Sequence, residues 1–237
     1  MTILGYADMQ KLIRVVILED HQPAIDGYYY RLSQCKAFEI VNAFVYADEL
    51  KSYLQTDVAD VLLLDMSLPT AHDDPTPYPV LSLIVELQDL HPELKVIIIS
   101  MHGERTLIQS AIKVGVNGYI LKEDRQAVQN LPNIIQSIMN GGSYLSQQAL
   151  NQLSDKSTSQ VTLSRRQLQI MSMCAANPNW TLSKVADELH VAHSTVRNSL
   201  TSVYQRLDVR NLTAAIAKAQ ELGIIEPIGL QSRYSIE

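Results

Sequence analysis

One pattern constrains this chain more than any other: short, almost wholly apolar runs, each followed by a stretch of helical periodicity. The runs are 13–18 (IRVVIL), 38–44, 61–64, 96–99 and 118–121, and helical patterns follow at 23–32, 48–54, 80–90, 104–114 and 126–139. A strand with one wet face alternates apolar and polar residues, whereas a strand covered on both faces stays apolar throughout. The succession therefore predicts an α/β domain over residues 12–142, a doubly wound five-stranded parallel sheet with helices on both faces.

After Gly141-Gly142 the character changes. Residues 143–161 are assigned to a linker, their latter part (NQLSDKSTSQV) being small, polar and without apolar period. Residues 162–226 then carry only helical patterns, which predicts an all-α four-helix domain. Charge divides along the same line. From Val161 onward there are eight basic and six acidic side chains, although the whole chain has 19 basic and 25 acidic ones and a net charge of −6. An acidic front half and a mildly basic back half point to separate tasks.

The two cysteines, Cys35 and Cys174, lie in apolar helical patterns and are expected to be buried, reduced thiols of a cytoplasmic protein. The first residues lack the pattern of a secretory signal, and no apolar run is long enough to span a bilayer, so no membrane partner is expected.

Ligands of such sheets bind beyond the carboxyl ends of the strands. Those ends carry Glu19 and Asp20, Asp65, Ser100 and Lys122. Two carboxylates about 4 Å apart repel by roughly 4 kcal/mol at an intermediate dielectric, so a cluster of them takes up protons or a cation. Mg²⁺ suits an all-oxygen set of this kind. A carboxylate beside it can act as a nucleophile toward a phosphoryl donor, with Lys122 and Ser100 placed to bind phosphoryl oxygens.

VVILEDHQPAIDGYYYRL, ADVLLLDMSLP, LHPELKVIIISMHGE and GVNGYILKED resemble the receiver domains of bacterial response regulators of the NarL/FixJ type. The resemblance implies that Asp65 is the phosphoacceptor and that Glu19, Asp20, Asp65 and the Ser67 carbonyl hold Mg²⁺. It further implies that Ser100 and Lys122 sense the phosphoryl group and that Tyr119 is the aromatic switch. Glu19 stands where an aspartate is commoner. The segment PTAHDDPTPYPV after Asp65 is longer than usual, and its His72-Asp73-Asp74 is expected to be a solvated acidic loop rather than a metal site.

In the back half, 181–189 and 194–207 have the spacing of a helix-turn-helix, whose second helix enters the major groove. Its outer face offers His193, Ser194, Thr195, Arg197, Asn198, Thr201 and Gln205. Arginine can read guanine and asparagine adenine, while hydroxyls can bond phosphates. The stretch from TLSRRQLQ to KAQELG resembles a LuxR-type DNA-binding domain, which implies that Ser194, Thr195, Arg197, Asn198 and Thr201 contact double-stranded DNA. Gln167 departs from a usual glutamate, and Thr201 stands where a lysine is frequent. His190 and His193, flanking the turn, are taken as surface residues.

These readings describe a two-component response regulator, not an enzyme. A histidine kinase would phosphorylate Asp65, and the phosphorylated form would dimerise and bind specific DNA. The alternative is a DNA-binding regulator whose receiver is a phosphorylation-independent interaction module. A Mg²⁺-dependent phosphatase is disfavoured, because such enzymes carry a general-acid aspartate two positions after the nucleophile and Ser67 stands there.

Overall fold

A computed structural model describes residues 12–154 and 161–226. Five parallel strands form the core of the sheet: β1 (Ile13–Leu18), β2 (Phe38–Phe44), β3 (Val61–Leu64), β6 (Lys95–Ser100) and β7 (Gly118–Leu121). A hairpin of β4 (Pro69–Ala71) and β5 (Asp74–Pro77) and an edge strand β8 (Tyr144–Leu145) complete the set, and the main sheet runs β2-β1-β3-β6-β7-β8.

The strands explain their own composition. Val16, Leu18, Leu62, Leu64, Val96 and Ile98 face α2 (Ala47–Thr56), α3 (Val80–Leu90) and α4 (Arg105–Val114). Val15, Ile17, Val61, Leu63, Ile97 and Ile99 face α1 (Gln22–Ser33), α5 (Arg125–Gln129) and α6 (Leu131–Met139). Both sides of the pleat are dry along β1, β3 and β6, so no polar alternation survives there, whereas the edge strand β2 leaves Glu39 and Asn42 exposed.

Three expectations change. The sheet gains β8 beyond the predicted five strands. Much of the expected linker 143–161 is structured: Tyr144–Leu145 pair with β7, and α7 (Gln147–Ser154) follows, while 155–160 lie outside the described residues. The single helix predicted over 126–139 is two, α5 and α6, parted at Asn130. Pro132 lacks the N–H that a continuous helix would use there and sits instead in the first turn of α6.

The back half forms the four predicted helices: α8 (Arg165–Ala176), α9 (Leu182–Glu188), α10 (His193–Leu207) and α11 (Leu212–Glu221). Ser164 and Gln167 form a reciprocal capping box at the start of α8, so glutamine serves where glutamate was expected. The core of these helices is continuous with the α3–α4 side of the front domain. No helix among the described residues is long and apolar enough to cross a membrane.

Candidate functional site

The sheet order reverses direction between β1 and β3, and a parallel sheet opens a crevice there. The acids lie at that point. Glu19 continues β1, its amide donating to Phe44 O, and Asp65 continues β3, its amide donating to Leu18 O. Both are buried: Glu19 is 1% and Asp65 5% exposed. Lys122, arriving from β7, brings Nζ 2.9 Å from Glu19 Oε2 and 3.1 Å from Asp65 Oδ2. One ammonium thus serves two carboxylates, with Asp20 close by.

Burial, reinforced by the charge of Asp65, raises the Glu19 pKa to about 7 despite Lys122. Asp65 is also raised, first by burial, with Lys122 and the Met66 amide opposing. That amide donates to Asp65 Oδ1 at 2.8 Å. Lys122 is raised because its two carboxylate partners outweigh its burial. The ligand atoms of Glu19, Asp20 and His21 lie within 4.8 Å of one another. Excess negative charge and hard oxygen donors fit Mg²⁺, whereas the adjacent His21 ring was not foreseen.

Ser100 is fully buried at the end of β6, where its Oγ accepts the His102 amide at 3.0 Å. Tyr119 is turned inward, with its hydroxyl donating to His102 O at 2.7 Å. His102 also sets Nε2 3.0 Å from Ser67 Oγ. Histidine here joins both sides of the crevice, and no spacing rule pointed to it, since it gains its role only when two strand ends meet. The segment after Asp65 folds as a β-hairpin, and His72 and Asp73 at its turn are exposed, as expected of a solvated acidic loop. It is anchored on α2, with Tyr46 Oη 3.4 Å from His72 Nδ1 and Lys51 Nζ 5.8 Å from the Tyr78 ring centroid.

The second site is α10. Val196, Leu200, Val203 and Leu207 bury one face against its neighbours. His193, Ser194, Thr195, Arg197, Asn198, Thr201 and Gln205 are exposed on the other. The turn before α10 passes through His190 at φ 49, a left-handed conformation that shortens the connection. Thr201 Oγ1 donates to Arg197 O at 3.0 Å, so its hydroxyl hydrogen is committed to its own helix.

A doubly wound domain with clustered acids at its switch point, joined to a helix-turn-helix, defines a two-domain regulatory protein. Residues 15–133 match the response regulator receiver domain, and residues 161–219 match the bacterial regulatory proteins of the luxR family. The chain belongs to the response regulator family, in the NarL/FixJ-type arrangement of a receiver followed by a LuxR-type DNA-binding domain. It is similar to the transcriptional regulatory protein DesR of Bacillus subtilis (strain 168), with 26% identity covering 90% of this chain and 98% of DesR. Response regulator UvrY of Escherichia coli (strain K12) is 24% identical, covering 84% of this chain and 89% of UvrY. Among solved structures, RcsB from Salmonella enterica serovar Typhimurium, bound to a promoter with a beryllofluoride phosphomimetic, shares the fold. It has a TM-score of 0.60 at 21% identity, over 88% of this chain and 98% of RcsB.

Proposed function

We propose that this response regulator takes a phosphoryl group from a histidine kinase onto Asp65 and, as a cytoplasmic homodimer, binds double-stranded DNA through α10. The observation that carries this reading is the Lys122 ammonium held between Asp65 and Glu19 at the switch point. Glu19, Asp20, Asp65 and the Ser67 carbonyl would hold Mg²⁺, which when bound neutralises phosphoryl oxygens. An Asp65 carboxylate oxygen attacks phosphorus, forming a P–O bond as the donor's N–P bond breaks. Lys122 then pairs with a phosphoryl oxygen, Ser100 turns its hydroxyl toward another, and Tyr119 follows into the space released. On the DNA side, Arg197 and Asn198 reach base edges, while Ser194, Thr195 and Thr201 lie where phosphates pass.

Labelling with radioactive acetyl phosphate tests the acceptor: the wild type takes label and Asp65→Ala takes none. Retained label in that variant would sink the assignment. The hairpin β4–β5 and the burial of Asp65 favour one rival, a receiver that serves as an interaction module without phosphorylation. Failure of Mg²⁺ and beryllofluoride to bind the full-length protein would establish that rival.

A further inference from the structure

His102 engages three parts of the acceptor crevice at once. Its Nε2 lies 3.0 Å from Ser67 Oγ, on the segment that follows Asp65. Its amide donates to Ser100 Oγ at 3.0 Å, and its carbonyl accepts the Tyr119 hydroxyl at 2.7 Å. Ring, N–H and C=O of one residue thus meet the cation side, the phosphoryl-sensing hydroxyl and the inward tyrosine. We propose that His102 is a positioning residue that passes Mg²⁺ binding at Ser67 on to Ser100 and Tyr119 before any phosphoryl group arrives. This rests on the Mg²⁺ reading above, in which the Ser67 carbonyl is a ligand.

The ring has little freedom. The His102 side chain is 11% exposed, and its Nδ1 faces Glu104 Oε2 at 3.6 Å. A donor on this ring is the chief cause that holds the Glu104 carboxyl below its ordinary value. With the Nδ1 hydrogen directed at that carboxylate, Nε2 is left as an acceptor, and the Ser67 hydroxyl donates to it. The imidazole is therefore gripped from both sides of the crevice, by Glu104 on its own segment and by Ser67 across the gap.

Ser67 is exposed, whereas Ser100 and Tyr119 are fully buried. The Ser67 carbonyl and hydroxyl hang from one Cα, so a carbonyl fixed on a cation also fixes where the hydroxyl stands. The hydroxyl sets the His102 ring, and the ring sets the peptide groups on either side of its own Cα. Those groups are the partners of Ser100 Oγ and the Tyr119 hydroxyl. A buried donor or acceptor left unpaired is costly, so members of such a network change partners together. A shift at His102 is carried inward rather than absorbed. A phosphoryl group has its own direct route through Ser100, and His102 gives the cation a separate one.

Mg²⁺ titrated into the full-length protein, without any phosphoryl donor or mimic, tests the route. Calorimetry measures the bound ion, and NMR of labelled tyrosine follows the Tyr119 ring, assigned with Tyr119→Phe. Potassium chloride at matched ionic strength is the control. In the wild type the Tyr119 signal should shift with the midpoint that calorimetry gives for the ion. Each variant is compared at a Mg²⁺ concentration that saturates it. Ser67→Ala and His102→Ala should lose the shift, and His102→Gln, whose side-chain carbonyl can accept from Ser67, should recover much of it. A shift of wild-type size in both alanine variants overturns the route, and no recovery in His102→Gln reduces the residue to packing. A wild type that binds the ion yet leaves Tyr119 unmoved overturns the coupling while sparing the Mg²⁺ reading. Absence of bound Mg²⁺ in calorimetry defeats both.

Discussion

Lys122 Nζ stands 3.1 Å from Asp65 Oδ2, and the same ammonium also holds Glu19. Removing it by Lys122→Ala leaves two buried carboxylates facing each other. A loss of about 1–3 kcal/mol in stability is expected near about pH 8. The sign with pH follows from the direction of the shift. A carboxylate raised in the folded state destabilises it fully above the folded pKa, and the penalty disappears below the unfolded value, where both states are protonated. Urea unfolding at about pH 8 and about pH 3, below both unfolded values, checks this. An equal loss at both would mean that the lysine stem, not its charge, matters.

Mg²⁺ binding should be coupled to proton release. With Glu19 held at about 7, chiefly by burial, a cation entering below that pH must displace a proton. Apparent affinity should fall about tenfold per pH unit below 7 and level off above it. Calorimetry in buffers of different ionisation enthalpy measures the released proton directly. In Glu19→Gln the affinity should be weaker and this slope lost.

Cations of the DNA-binding domain are not equivalent. Arg197 is exposed on the outer face of α10, whereas Arg206 donates to Thr162 O at 2.7 Å. Arg197→Ala should cost about 1–3 kcal/mol in operator affinity. Arg206→Ala and Thr201→Ala should each cost under about 1 kcal/mol, since one cation and one hydroxyl are already engaged. Filter binding across a salt series distinguishes them, and equal losses for Arg197 and Arg206 would refute the ranking.

The cysteines should part in reactivity. Burial pushes the Cys174 thiol up to about 12, while Cys35 is only partly buried. Iodoacetamide on the native protein should label Cys35 alone, as peptide mass spectrometry can show. Labelling of both before unfolding would contradict the packing of α8.

Much of the site is legible from strand ends. Glu19, Asp20, Asp65, Ser100 and Lys122 each follow an apolar run, and a parallel sheet collects such positions on one rim. His102 was not legible, because its partners Ser67 and Ser100 lie on segments that only the assembled sheet brings together. The hairpin at 69–77 escaped for a different reason. Its proline-rich composition disfavours strands, and it forms with the support of contacts to α2 such as Tyr46 with His72.

Local chemistry determined most of what this chain is: unbroken apolar runs demand a sheet covered on both sides, and helical stripes of Val196, Leu200, Val203 and Leu207 demand a packed helix-turn-helix. These signals repeat over a few residues and are visible without knowing the fold. Only the tertiary structure decided how the halves meet. Glu226 Oε1 accepts the Leu81 amide at 3.2 Å across 145 residues, and neither the uncapped start of α3 nor a glutamate past the last helix names its partner. A helix end left without donors' partners is a local fact, whereas the carboxylate that satisfies it depends on docking two separately packed cores.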